Sequence, residues 1–192
     1  MVWRPGPSAE SRRLYTAEHL ALLPDDGHRH QLVEGELVRE PPPGFDHGSV
    51  VARIARALLV HVERTGTGFV VAGDSGFILH RGPDTVLAPD VAFIARERMP
   101  RRVREQRPWP EVAPDLVVEV KSPSDSRRGL VAKAQRWLKS GTRMVWIVDP
   151  AAREVIVVRP DHELEPRRDG DVLSGDPILP GLMIPVEQLW PD

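Results

Sequence analysis

The chain has 192 residues and a formal charge of -2, with 26 lysines and arginines set against 28 aspartates and glutamates, which excludes a uniformly basic nucleic-acid binder. It has no cysteine, so disulfides, thiolate zinc sites and cysteine nucleophiles are excluded and a reducing cytoplasm is expected. No apolar run approaches the roughly 20 residues of a bilayer-spanning helix, and Met1 to Pro7 lacks the apolar stretch of a secretory signal, so the expected chain is soluble, with no membrane partner.

A chain of this length fits one domain that buries about 70% of its unfolded surface. The first predicted element is a short helix from Thr16, its candidate N-cap, to Leu22, ended by Pro24 to Gly27. Gln31 to Arg39 places apolar residues on either side of Glu34-Gly35-Glu36 and predicts a hairpin turning near Gly35, which Pro41 to Gly44 stops. Ser49 to Thr65 repeats apolar residues at Val50, Ile54, Ala57, Leu58 and Val62, the strongest helical period in the sequence.

Gly66 and Gly68 close that helix, and Phe69 to Leu79 predicts a strand bent around Gly73 to Gly76. Thr85 to Ala95 supplies the next strand, with Pro89-Asp90 opening its apolar part. A long polar connection containing Trp109 runs to Pro114, and Leu116 to Lys121 is the central strand. A helix follows over Leu130 to Ser140, then a buried strand at Met144 to Val148 and a hairpin partner at Glu154 to Val158. From Pro160 to Asp192 the chain is rich in Pro, Gly and Asp and predicts a small hairpin lying against the domain. The order predicts one α/β domain over residues 1–192 with a mixed central sheet, a core at about 28–160 and a C-terminal appendage at 161–192.

Charged residues inside the apolar strands carry the functional signal. In an extended strand Glu119 and Lys121 share one face roughly 7 Å apart, while Val118 and Val120 fill the other. Ionised groups within an apolar run are costly without partners. Two carboxylates, Asp90 and Glu119, and a lysine on adjacent strands suit a divalent cation that activates water for phosphodiester hydrolysis. Lysine is scarce here, at positions Lys121, Lys133 and Lys139, and only a lysine ammonium can be tuned to give up a proton.

Two basic runs flank these strands: six arginines against two glutamates from Arg96 to Arg107, and seven basic residues against Asp125 from Lys121 to Arg143. Either can neutralise a phosphate backbone, or be a solvated helix face and loop. Taken alone, an Asp after Pro is more often a turn cap than a catalyst, and a Glu-x-Lys pair more often a cross-strand charge pair. Gly66 to Gly68 follows a helix and precedes a strand, the reverse of a pyrophosphate cradle. Gly73 to Gly76 lacks the surroundings of a serine nucleophile, and His28 and His30 fit a polar turn better than a metal site. Trp137, Trp146, Trp190 and Phe93 read as core or interface residues.

Glu34 to Val38, His47, Pro89-Asp90-Val91, the run from Pro114 to Ser124, and Gly141 to Pro150 with Trp146 together resemble the Uma-two family of restriction endonucleases, within the PD-(D/E)XK nuclease superfamily. The resemblance spans about Leu14 to Trp190. It implies a restriction-endonuclease-like fold whose middle sheet strands, flanked by helices, meet at a metal site. It also implies a metal-dependent endonuclease that hydrolyses DNA, and a homodimer is expected because two sites would address two strands. Asp90, Glu119 and the Val120 carbonyl would hold Mg²⁺ or Mn²⁺, and Lys121 would orient or deprotonate the attacking water. Glu34 and His47 come from the hairpin and helix that the family places at the cleft. Lys133 is a second candidate lysine, since many relatives use one from the following helix, and Gln135 stands close to it in sequence. The competing reading is a catalytically silent DNA-binding or assembly module, and a third is hydrolysis of RNA or of a DNA junction.

Overall fold

The structure, a computed structural model, describes residues 14–73, 75–99 and 109–191. Helix α1 (Ala17–Ala21) is capped by the Thr16 hydroxyl, which accepts from the His19 amide. The hairpin β1 (Arg29–Val33) and β2 (Glu36–Glu40) turns at Glu34-Gly35, where both residues have positive φ and glycine meets the requirement at no steric cost. Helix α2 (Phe45–Thr65) begins four residues earlier than the apolar period indicated, which brings His47 into its first turn, and it ends at left-handed Gly66.

The segment expected to be one bent strand is divided between two sheets. β3 (Gly68–Ala72) joins the main sheet beside β6, while β4 (Phe77–His80) pairs with β5 (Thr85–Leu87). The stretch from Thr85 to Ala95 divides in the same way, because Ala88 to Asp90 crosses from β5 to β6 (Val91–Ala95). Pro89 has no amide to donate to a ladder, which suits it to the crossover. Gln31, buried in β1, fixes this crossover by accepting the Ala88 N–H at 3.0 Å.

Strand β7 (Leu116–Val120) pairs antiparallel with β6 and parallel with β8 (Met144–Asp149), the two parallel strands being joined by helix α3 (Arg127–Lys139), whose N-cap is Ser126. β9 (Glu154–Val158) and β10 (Glu165–Arg168) continue outward as antiparallel neighbours. A two-stranded ribbon, β11 (Val172–Ser174) with β12 (Met183–Pro185), and a short 3-10 helix at Val186–Leu189 complete the tail.

The result is a mixed six-stranded sheet, β10-β9-β8-β7-β6-β3, and a smaller antiparallel sheet, β2-β1-β5-β4. Alternation along the central strands supplies two apolar faces. Val118, Trp146 and Phe93 pack beneath α2 and the tail, whereas Val117, Ile147 and Ile156 pack beneath Ala134 and Trp137 of α3.

Fully buried Asp115 pins the strands that carry the site. Its carboxylate accepts from the Ala95 amide at 2.8 Å and from Arg98 at 2.7 Å, and its carbonyl accepts from the Arg143 and Met144 amides. Asp115→Ala keeps the carbonyl but leaves the buried Ala95 amide and the Arg98 guanidinium without the carboxylate, and urea unfolding is expected to show a stability loss on the order of 3 kcal/mol.

Candidate active site

Asp90 stands where the chain passes from the smaller sheet into the main one, and Glu119 stands one residue before the end of β7. Both are buried. One Asp90 oxygen accepts the Val120 N–H at 2.7 Å and lies 3.3 Å from His47 Nε2, and the other accepts from Arg29 at 3.0 Å. One Glu119 oxygen accepts the Trp137 indole N–H at 2.7 Å, and the other lies 2.9 Å from the Lys133 ammonium. Glu40 closes the group, 2.6 Å from Arg29 and 3.6 Å from Lys133. A pocket of about 520 Å³ opens here, lined in part by Arg29, Glu40, Glu119, Val120, Lys133 and Arg136.

Burial and neighbouring charge push the two carboxyls apart. Burial alone would raise Asp90, yet the His47 hydrogen bond, the Arg29 charge and the Val120 amide outweigh it and hold the carboxyl below its ordinary value. Glu119 goes the other way: burial raises it, Lys133 and Trp137 only partly offset that, and the Asp90 charge adds to the rise. Lys133 is disfavoured as an ammonium by burial, but Glu119 and then Glu40 more than compensate and raise its pKa. Asp90 is thus the stronger acid of the two.

Four expected residues meet here: Asp90, Glu119, His47 and Lys133. Val120 contributes its amide to Asp90 and lines the pocket. Lys121 does not join them. The strand ends at Val120, and the Lys121 ammonium lies 3.0 Å from Asp149 of β8 rather than beside Glu119. Glu34 is also elsewhere, exposed at the hairpin turn with its amide on the Thr85 hydroxyl. The hairpin reaches the site through its open end, where Arg29 faces Glu40. Gln135 is exposed on α3.

Arg29, Glu40 and the Trp137 indole were not singled out by the sequence. The usable signal was the hairpin register, since a turn at Glu34-Gly35 pairs Arg29 with Glu40 across the two strands. The basic runs are partly consumed by structure: Arg96 packs over Phe69 and donates to the Gly66 carbonyl, Arg98 holds Asp115, and Arg127 holds Glu154. Arg101, Arg102, Arg104 and Arg107 lie outside the described residues. His28 and His30 both face Asp26.

A family model described as "Uma2: Putative restriction endonuclease" matches residues 16–187. Among solved structures, the chain resembles one titled as a putative nuclease belonging to DUF820 from Anabaena variabilis, with a TM-score of 0.78 and 22% sequence identity, covering 91% of this chain and 96% of the other. No curated protein matches. The structural likeness establishes the α/β fold with its mixed central sheet, which agrees with the fold expected from the sequence.

The raised Glu119 carboxyl has a consequence for stability. Between its unfolded value of 4.5 and its higher folded value the native state binds the extra proton, so its stabilising contribution is present at acid pH and is lost as pH rises through the folded value. The difference in unfolding free energy between wild type and Glu119→Gln is therefore expected to drift against the wild type as pH rises from about 4.5, as measured by chemical denaturation across pH.

Proposed function

The chain belongs to the Uma2 family, and from that premise we propose that it is a metal-dependent endonuclease hydrolysing DNA phosphodiester bonds where Asp90, Glu119 and Lys133 converge. The observation that carries this reading is a buried pair of carboxyl groups, Asp90 at the crossover into β6 and Glu119 in β7, with the Lys133 ammonium 2.9 Å from Glu119, which lines an open pocket. Perturbed titratable groups gathered at a pocket are the usual mark of catalytic chemistry.

The carboxylate oxygens of Asp90 and Glu119, beside the backbone of Val120, are the donor type that a hard divalent ion takes. Asp90, Glu119 and the Val120 carbonyl would hold Mg²⁺ or Mn²⁺, which would supply polarisation of the phosphoryl oxygens and a more acidic attacking water. The remaining work belongs to the chain. His47 and the Val120 amide keep Asp90 ionised and oriented. Trp137 fixes one oxygen of Glu119, and Arg29 braces Asp90 against Glu40. The role first expected of Lys121 passes to Lys133, whose ammonium sits where negative charge gathers on the phosphoryl group. We further propose that the protein works in the cytoplasm as a homodimer, two sites serving two strands.

One observation favours the silent-module reading. Both oxygens of Asp90 and of Glu119 already bond the chain's own donors, and among the described residues no three His, Asp or Glu side chains are grouped to hold an ion. Plasmid cleavage in Mg²⁺ and Mn²⁺ separates the two. Asp90→Ala, Glu119→Ala and Lys133→Ala are expected to lower the rate by about 100-fold or more, and Lys121→Ala by less than about tenfold at saturating DNA. Equal cleavage by all five proteins removes the assignment. Retained DNA binding with no heat in a Mn²⁺ titration establishes the silent module.

A further inference from the structure

Each carboxylate of the site divides its two oxygens between two kinds of partner. Asp90 Oδ2 accepts the Val120 amide at 2.7 Å and lies beside His47, and Glu119 Oε1 accepts the Trp137 indole N–H at 2.7 Å. The other oxygen of each is held by a side-chain cation, Asp90 Oδ1 by Arg29 at 3.0 Å and Glu119 Oε2 by Lys133 at 2.9 Å. Glu40 links the two cations, with Oε2 2.6 Å from Arg29 and Oε1 3.6 Å from Lys133.

The two kinds of partner differ in freedom. The Val120 amide belongs to β7 and the Trp137 ring is fully buried, so the fold fixes both. Arg29 and Lys133 end long stems and line the first pocket together with Glu40 and Glu119, and the Arg29 side chain keeps 20% of its surface open. Arg29 bonds Glu40 through Nε and Nη2 but Asp90 through Nη1, so it can leave Asp90 without leaving Glu40. Their two unit charges equal the charge of one divalent ion.

We propose that Arg29 and Lys133 are exchangeable counterions and that Arg29 is a further contact for the phosphate of the strand, a reading that rests on the nuclease assignment. Without an ion, the two side chains neutralise carboxylates that burial would otherwise penalise. With Mg²⁺ or Mn²⁺ bound at Asp90 and Glu119, both release the oxygens they hold and Glu40 keeps them at the pocket wall. Arg29 then turns its freed Nη1 to the phosphate, which a guanidinium fork suits. Ion and strand are thereby coupled: the ion binds against two internal competitors, and its binding frees a cation for the polyanion.

Calorimetry with Mn²⁺ alone, and binding of a fluorescein-labelled oligothymidylate in Ca²⁺ or in EDTA, test the exchange. Arg29→Gln is expected to bind Mn²⁺ about tenfold tighter than wild type, because one charged hydrogen bond no longer has to be broken. Arg136→Gln removes the same charge from the same lining without touching an ion pair to Asp90 or Glu119, and is expected to shift Mn²⁺ affinity by less than about twofold. Strand binding moves the other way, with Arg29→Gln losing about tenfold in Ca²⁺ and less than about twofold in EDTA. A bracing role alone would weaken Mn²⁺ and strand together. Should Arg29→Gln fail to fold, Glu40→Gln carries the test: with their tether gone, the cations settle on Asp90 and Glu119, and Mn²⁺ affinity is expected to fall about tenfold, against less than about twofold for Asp125→Asn in the same lining. Mn²⁺ affinity unchanged or weakened in Arg29→Gln, or unchanged in Glu40→Gln, while wild type cleaves plasmid, overturns the exchange and leaves the nuclease standing. The expected shifts in a wild type that leaves plasmid uncut support the exchange and remove the nuclease reading. A wild type that takes up no Mn²⁺ overturns both.

Discussion

The hydrogen bond from the Val120 amide to the Asp90 carboxylate, 2.7 Å long and buried, is the constraint on which the site depends. It joins the crossover between the two sheets to the end of the central strand and so sets a second carboxylate, Glu119, beside the first. Two such groups in a low-dielectric interior cannot stay charged without partners. The surrounding residues meet that demand: Arg29 arrives from β1, His47 from the first turn of α2, and Lys133 with Trp137 from α3. Elements from both sheets and both long helices are thereby tied to one point.

The same constraint explains why the two lysines separate. Beyond Val120 the β7 strand stops, and Lys121, whose amide still bonds the Val148 carbonyl, finds Asp149 as its partner. Lys133 projects from a helix whose Trp137 is already anchored to Glu119, and one helical turn carries its ammonium to the same carboxylate. The end of β7 thus lies between two pockets, each lined by its own lysine, and His47 lines the second while its Nε2 lies 3.3 Å from Asp90.

Asp90 and Glu119 were legible because each interrupts an apolar strand pattern, where an unpartnered carboxylate has no reason to persist. The hairpin, α2, α3 and the parallel pair of central strands were legible from periodicity and turn residues. What periodicity could not convey was which sheet a strand joins. Phe69 to Leu79 and Thr85 to Ala95 each look continuous, but each supplies one strand to either sheet. Nor does a hairpin announce which end faces the core. Its turn and its open end lie roughly 13 Å apart, so Glu34 sits at the exposed end of the element whose other end carries Glu40. Lys121 parts from Glu119 because strict alternation holds only while the strand lasts.

Charge counts along the chain overstate the basic surface offered to DNA. Arg96, Arg98 and Arg127 are spent on a loop carbonyl, on Asp115 and on Glu154, and inside the first pocket Arg29 and Lys133 face three carboxylates. An approaching phosphate therefore meets a site whose side-chain charges nearly balance, not a positive funnel. Tight holding of a polyanion at this point would therefore require either an added cation beside Asp90 and Glu119 or contacts outside the first pocket.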